Sequence, residues 1–347
     1  MRSFQNDQTL DPVPGAVVLR LRSIDRAAGE EARYLDQLPQ LLEGLRAQAR
    51  IESVTASNAI EGVVVDQSRV PKLVSGSARR FRNRSEAEFA GYTEALDYLQ
   101  QNDPGELSVG LVLHLHRLLF GHADGGGGRF KVEDNRVVDR HPDGTSTVRF
   151  EPTSAAETPF FMDELIARAN TAFEVGATHP LIIVSAFVLD FLCIHPFADG
   201  NGRTARLLTT YLLERHGYGV SRYVSLEQLI HGEQDDYYTS LAASTTGWST
   251  DGSHDLWPWT LYLLDRLGAA YERFGARIAA GTSGGTKQDR VRDYVLLHAP
   301  ATFSISDIRS AVPGVSDNTI RLVLTALKRS GKIVNDGAGR GSEWRRA

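Results

Sequence analysis

The 347-residue chain has one cysteine, Cys193. A single thiol excludes an internal disulfide and fits a reducing compartment. No run approaches the roughly 20 apolar residues that a membrane span requires. The N-terminus has no basic stretch followed by an apolar one. A cytoplasmic protein with no membrane partner is therefore expected. The sequence also lacks an internal repeat, a G-x-x-x-x-G-K-S/T loop, an H-E-x-x-H pair and any Cys/His zinc pattern. Nor is positive charge in overall excess: the net charge is −5, so the whole molecule is no polyanion binder. The charge is uneven, however. Residues 286–347 carry 11 Lys/Arg and 6 Asp/Glu, a net of +5, and the remainder carries −10. Nucleic acid is thus a candidate partner of the tail alone.

What the chain does have is a dense run, His195-Pro196-Phe197-Ala198-Asp199-Gly200-Asn201-Gly202-Arg203-Thr204-Ala205-Arg206. The apolar run from Leu181 to Ile194 precedes it and reads as a buried helix. Leu207, Leu208, Tyr211 and Leu212 follow at helical spacing. The run is thus a loop opening a second helix, and a helix N-terminus offers unpaired N–H groups and partial positive charge to a phosphate. His195 is a candidate base with a pKa near neutrality. Asp199 can give magnesium the single carboxylate it often accepts. Amides of Gly200, Asn201 and Gly202 can face an anion. Arg203 and Arg206, three apart, share one helix face and can reach a polyphosphate together. Phe197 reads as an anchor of the loop. Cys193 lies two residues from His195, and such residues diverge on a helix, so it reads as a small core residue.

This stretch resembles the motif of the Fic family of nucleotidyltransferases, H-P-F-x-D/E-G-N-G-R-x-x-R, at every defined position. The other His-Pro pairs, His141-Pro142 and His179-Pro180, are followed by nothing similar. The resemblance implies that His195 deprotonates a target hydroxyl, Asp199 binds Mg2+, and Gly200 to Gly202 form an anion hole. It implies that Arg203 stabilises the polyphosphate and Arg206 binds the γ-phosphate. Asn201 joins the expected catalytic set and Thr204 the nucleotide contacts. A second signature, S/T-x-x-x-E-G/N, is matched by Ser57-Asn58-Ala59-Ile60-Glu61-Gly62. In the family it marks an inhibitory helix whose glutamate pairs with the second arginine; the plainer alternative is a helix end with Glu61 in solvent and Gly62 as the stop. Tyr237 and Tyr238 either flank an adenine or belong to the core. The implied activity is Mg-dependent transfer of AMP from ATP to a Ser, Thr or Tyr hydroxyl of a protein, restrained by Glu61. Removal of AMP, a DNA-binding regulator that senses nucleotide, and UTP, GTP or CTP as donor stay open. A homodimer is among the expected partners.

The expected fold is mainly α: a Fic-type helical core with a β-hairpin flap, and a C-terminal winged helix-turn-helix. Residues 1–110 form an N-terminal helical region carrying the inhibitory helix, 111–280 the catalytic core and 286–347 the winged helix. Within these, residues 1–30 read as a loose leader with Pro12 and Pro14, and 31–60 as one amphipathic helix. Gly125 to Gly128 read as a hinge. Val132 to Phe150 read as a hairpin turning at His141-Pro142-Asp143-Gly144, and Gly281 to Gly285 as a linker. In the tail, Arg290–His298, Ser304–Ala311 and a helix capped by Ser316 precede a two-stranded wing around Gly337–Gly341. Ser316, Asn318, Thr319 and Arg321 would open the recognition helix, with Arg340, Arg345 and Arg346 near the wing. Duplex DNA is one reading of this tail, and protein docking or dimerisation is the other.

Overall fold

The computed structural model describes residues 2–4, 12–34, 38–78, 80–102, 104–123, 126–140, 145–282, 286–300, 302–312, 314–336 and 343–346. The first long helix, α1 (Gly15–Tyr34), corrects the expected loose leader. Pro12 and Pro14 stand just before it, where a missing N–H costs nothing, and Val17, Leu21 and Ile24 form its buried stripe. The expected single helix over 31–60 is likewise two, α1 ending at Tyr34 and α2 spanning Pro39–Ile60. A short α3 (Val70–Val74) leads to α4 (Arg84–Gln101), where the Asn83 side chain accepts the Glu86 N–H as N-cap. Ser108 caps α5 (Val109–Leu119) in the same way.

Helices α4 and α5 meet at Gly91, which is buried. A β-carbon there would lie 2.2 Å from the Leu119 carbonyl oxygen, which is backbone and cannot swing aside. Gly91→Ala is therefore expected to destabilise the protein by roughly 1–3 kcal/mol, the usual cost of overpacking. Urea denaturation of the two proteins measures it, and equal midpoints would contradict the close approach.

An antiparallel hairpin follows, β1 (Val137–Arg140) and β2 (Ser146–Phe150), with Val138 opposite Val148 and an irregularity between Val137 and Val138. Its turn, 141–144, lies outside the described residues, as does Gly125. Helix α6 (Thr158–Val175) packs on α7 (Pro180–Ile194), and α7 on α8 (Asn201–Arg215). Nearly every side chain of α7 is buried, as its largely apolar sequence requires. Asp190 is its buried exception, answered by Ser3 Oγ at 2.7 Å and Trp248 Nε1 at 2.6 Å. Then come α9 (Leu226–Gly232), α10 (Gln234–Thr245) and α11 (Trp257–Thr282). Helix α11 includes Gly281 and Thr282, which corrects the expected linker at these two positions; 283–285 lie outside the described residues.

The tail begins with α12 (Lys287–Asp293), closed by a reciprocal Thr286/Asp289 capping box, and passes into one wide helical turn, Tyr294–His298. Strand β3 (Thr302–Phe303) precedes α13 (Ile305–Ala311) and α14 (Asp317–Arg329), and Ser316 caps α14 as expected. Strands β4 (Ile333–Asp336) and β5 (Glu343–Arg346) complete a three-stranded sheet in the order β3-β5-β4. The expected two-stranded wing thus gains β3, too short for any periodic signal. Residues 337–342, with Arg340, lie outside the described residues. Val295, Phe303, Ile308, Ile320, Leu324 and Ile333 are buried together here.

The chain divides into two compact units. One comprises Met1–Ile24, Ile51–Tyr218 and Leu226–Leu267, and holds the whole motif region. The other comprises Asp25–Arg50, Gly219–Ser225 and Gly268–Ala347, so residues 286–347 share their unit with earlier segments.

Candidate functional site

The site grows from the end of α7. His195 closes that helix in the left-handed region, at φ 51° and ψ 60°. It is the one non-glycine residue with positive φ among those described. A side chain there is strained and needs support from its surroundings. Its Nδ1–H donates to the Leu192 carbonyl at 3.2 Å, which leaves Nε2 as the lone-pair nitrogen. Burial pushes its pKa down to about 4, so the ring is neutral and able to accept a proton at pH 7.

The loop after it is held from several sides. Phe197 is fully buried and stacks on His116 with ring centroids 3.7 Å apart. His116 Nδ1 accepts the Gly128 N–H at 2.8 Å and its Nε2–H donates to the Asp199 carbonyl at 3.1 Å. Burial lowers the His116 pKa to about 4, which keeps this donor–acceptor pattern intact. Asn201 closes the loop on itself: its Oδ1 accepts the Phe197 N–H at 2.9 Å and its Nδ2 donates to the Phe197 carbonyl at 2.7 Å. Asn201, expected in the catalytic set, is seen gripping the backbone of the loop.

Asp199 is half exposed. Its Oδ1 accepts the Gly200 N–H at 2.6 Å, and its Oδ2 accepts from Arg84 at 3.0 Å. Arg203 is 1% exposed, donates to Glu88 at 2.5 Å and approaches Asp199 at 3.5 Å. Among the described residues no three His, Cys, Asp or Glu side chains gather into a metal cluster. One half-exposed carboxylate beside an anion-binding helix end still fits magnesium, which binds through one or two carboxylates and completes its shell with phosphate and water oxygens. Thr204 is fully buried and gives its N–H to the Gly200 carbonyl at 2.9 Å.

Arg206 is held from α2. Its Nε donates to Ser57 Oγ at 2.8 Å, and its Nη2 donates to the Ser57 carbonyl and to Glu61 Oε1, both at 2.9 Å. Gly62, at φ +74°, ends that helix, so the stop reading is correct for the glycine but not for Glu61, whose carboxylate is engaged. The carboxylate also lies against the start of α8. A β-carbon on Gly202 would sit 2.1 Å from Glu61 Oε1, so the close approach depends on Gly202 having no side chain. Glu61 thus lies on the Arg206 guanidinium and against the N-terminal turn of α8.

A cleft of about 440 Å³ brings together Glu61, His195, Gly202, Tyr237, Tyr238 and the β2 residue Arg149. Asp199 and Arg203 do not line it, and Arg206 lines a separate small cavity of about 20 Å³ with Tyr237. Tyr237 is a core residue, set edge-on against Trp259, and burial pushes its pKa up to about 12. Tyr238 is half buried, and the Arg149 guanidinium lies 4.8 Å from its ring centroid. The residues that sequence reasoning missed are Arg84, Glu88, His116, Lys131 and Asn135. His116 sits among Leu111, Leu115 and Leu119 and reads as core; the others stand where no spacing marks them.

A buried helix ending in a histidine, a glycine-bearing turn at a helix N-terminus and a ligand-sized cleft are brought together here. Residues 106–213 match the model of the Fic/DOC family. The chain is 27% identical over 181 residues to "Protein adenylyltransferase Fic" of Nematostella vectensis, covering 49% of this chain and 39% of that protein. It is 31% identical over 220 residues to the protein of the same name from Drosophila willistoni, covering 61% and 41%. The chain thus spans about two-fifths of the length of these relatives. In fold it is similar to a Fic family protein from Desulfovibrio desulfuricans G20, with TM-score 0.63 and 22% identity over 97% of this chain and 98% of that one. Fic-1 from Caenorhabditis elegans gives TM-score 0.61 and 22% identity over 77% and 74%. No described helix is long and apolar enough to cross a membrane.

Proposed function

We propose that this protein transfers AMP from ATP to a Ser, Thr or Tyr hydroxyl of a protein, and that Glu61 restrains the transfer. One observation carries the reading: Glu61, His195 Nε2 and the amide end of α8 face one cleft, with the carboxylate seated where an anion would bind. The names of the curated relatives support the same activity. In this scheme His195 Nε2 takes the proton of the target hydroxyl. The hydroxyl oxygen bonds to the α-phosphorus, the bond from that phosphorus to the bridging oxygen breaks, and pyrophosphate leaves. The free amides at the start of α8 stabilise the charge on the α-phosphate oxygens. Arg206, once released by Glu61, holds the γ-phosphate, and Arg203 supports the polyphosphate from below the loop. Asp199 would hold Mg2+, which when bound neutralises phosphate charge. Arg149 and Tyr238 offer a face for the base. The test is label incorporation into lysate proteins by the Glu61→Gly variant. Label from α-labelled ATP and none from γ-labelled ATP is the expected result. Label from neither, with any of the four nucleotides, would favour the regulator; loss of AMP from modified proteins would favour AMP removal.

We further infer that residues 286–347 bind duplex DNA as a winged helix. The exposed face of α14 carries Asn318, Arg321, Thr325, Lys328 and Arg329, a set suited to phosphates and base edges. In the full chain, log affinity for duplex DNA is expected to fall with log salt by roughly 0.9 per phosphate contact. Arg321→Ala should weaken binding, and a mobility-shift salt series measures both. No shift at low salt would move this segment to protein docking.

A further inference from the structure

Lys131 is an unusual residue to bury. It is 5% exposed, and the carboxylate whose charge acts on it is Asp134. Burying an ammonium is costly, and burial lowers its pKa to about 8 against the opposing pull of Asp134. What it touches is the turn that carries His195. Its Nζ donates to the Ile194 carbonyl at 3.1 Å and to Asn135 Oδ1 at 2.8 Å. Its own N–H donates to the Pro196 carbonyl at 2.9 Å. Asn135 Nδ2 in turn donates to the carbonyls of His195 at 3.3 Å and Phe197 at 2.9 Å. The four consecutive carbonyls from 194 to 197 are thus all satisfied by Lys131 and Asn135. These are the residues around the one strained non-glycine backbone position described, His195.

We propose that Lys131 is the positioning residue of the transfer reaction, fixing the strained turn that aims the His195 imidazole and presenting a positive charge to it. The proposal rests on His195 being the base of the proposed AMP transfer. The charged groups that act on the imidazole are Lys131 from the segment before the hairpin, Glu61 from the end of α2, and Asp199 from the motif loop. Glu61 and Asp199 favour the protonated ring, and Lys131 opposes them. Burial does most to keep the ring neutral, and the Lys131 ammonium adds to it against the two carboxylates.

The test compares Lys131→Met and Lys131→Arg, each in the Glu61→Gly background, by NMR titration of the His195 ring and by the pH profile of AMP incorporation. Removing the charge is expected to raise the His195 pKa, and the acid limb of the rate profile with it, by about one unit, a tenfold shift in proton affinity. Lys131→Arg, which keeps the charge, should return both. At pH above the limb, kcat should fall while KM for ATP stays. Where Lys131→Met does not fold, Lys131→Gln replaces it, keeping a donor for Ile194 without the charge. A uniform loss of rate with an unmoved His195 titration would overturn the proposal and leave Lys131 a structural residue only. If no variant, parent included, transfers AMP, the functional reading fails, and the NMR titration still decides the role of Lys131.

Discussion

His195→Ala is expected to lower AMP transfer by about 10²–10⁴-fold while leaving ATP binding nearly unchanged. The expectation rests on the division of labour in the site. The imidazole has one nitrogen committed to Leu192 and one free toward the cleft, so its loss removes a proton acceptor and no described phosphate donor. In the proposed scheme the phosphates are held by the α8 amides and Arg206, and the guanidinium's hydrogen bonds run to Ser57 and Glu61, not to the ring. Burial keeps the ring neutral, so the parent needs no help from added base at pH 7. Incorporation of label from α-labelled ATP measures the rate, and nucleotide titration measures binding. Full activity in the variant would remove His195 from the mechanism.

Glu61→Gly should act in the opposite direction and raise transfer, self-modification included, by roughly 5–150-fold, the range of a typical coupling between two sites. Glu61 Oε1 sits 2.9 Å from Arg206 Nη2 and against Gly202, so its carboxylate and a γ-phosphate compete for the same donors. Removing the side chain leaves the Ser57 hydrogen bonds to Nε and Nη2 in place, which keep Arg206 aimed at the site. Arg206→Ala in the same background should lower the rate again, since the γ-phosphate then loses its guanidinium. The order of rates among parent, Glu61→Gly and the double variant is the measurement. A Glu61→Gly protein no more active than its parent would end the brake hypothesis and strengthen the reading as an AMP-removing enzyme.

Local rules made much of the molecule legible. The buried α7, the Ser316 cap of α14 and the hairpin over 137–150 follow from apolar runs, a capping residue and alternation, all of which act within a few residues. The leader was misread because Pro12 and Pro14 look like loop residues until the helix they precede is found, and its stripe of Val17, Leu21 and Ile24 is short. Strand β3 escaped because a two-residue strand exists only through its partner β5.

By itself, the sequence determined which residue types stand at which spacing: a histidine, a carboxylate, small residues and two arginines within one loop and one helical turn. Only the tertiary structure decided what each of them touches. It put Glu61 on Arg206 across 145 residues of chain, paired Arg203 with Glu88 across 115, and brought Lys131 and His116 behind the loop from more than 60 residues away. The physical reason is that a buried charge or a strained backbone must be answered by a partner, and any segment the core packs alongside can supply it. Periodicity and spacing carry no record of such pairings, because the partners are neighbours in space alone.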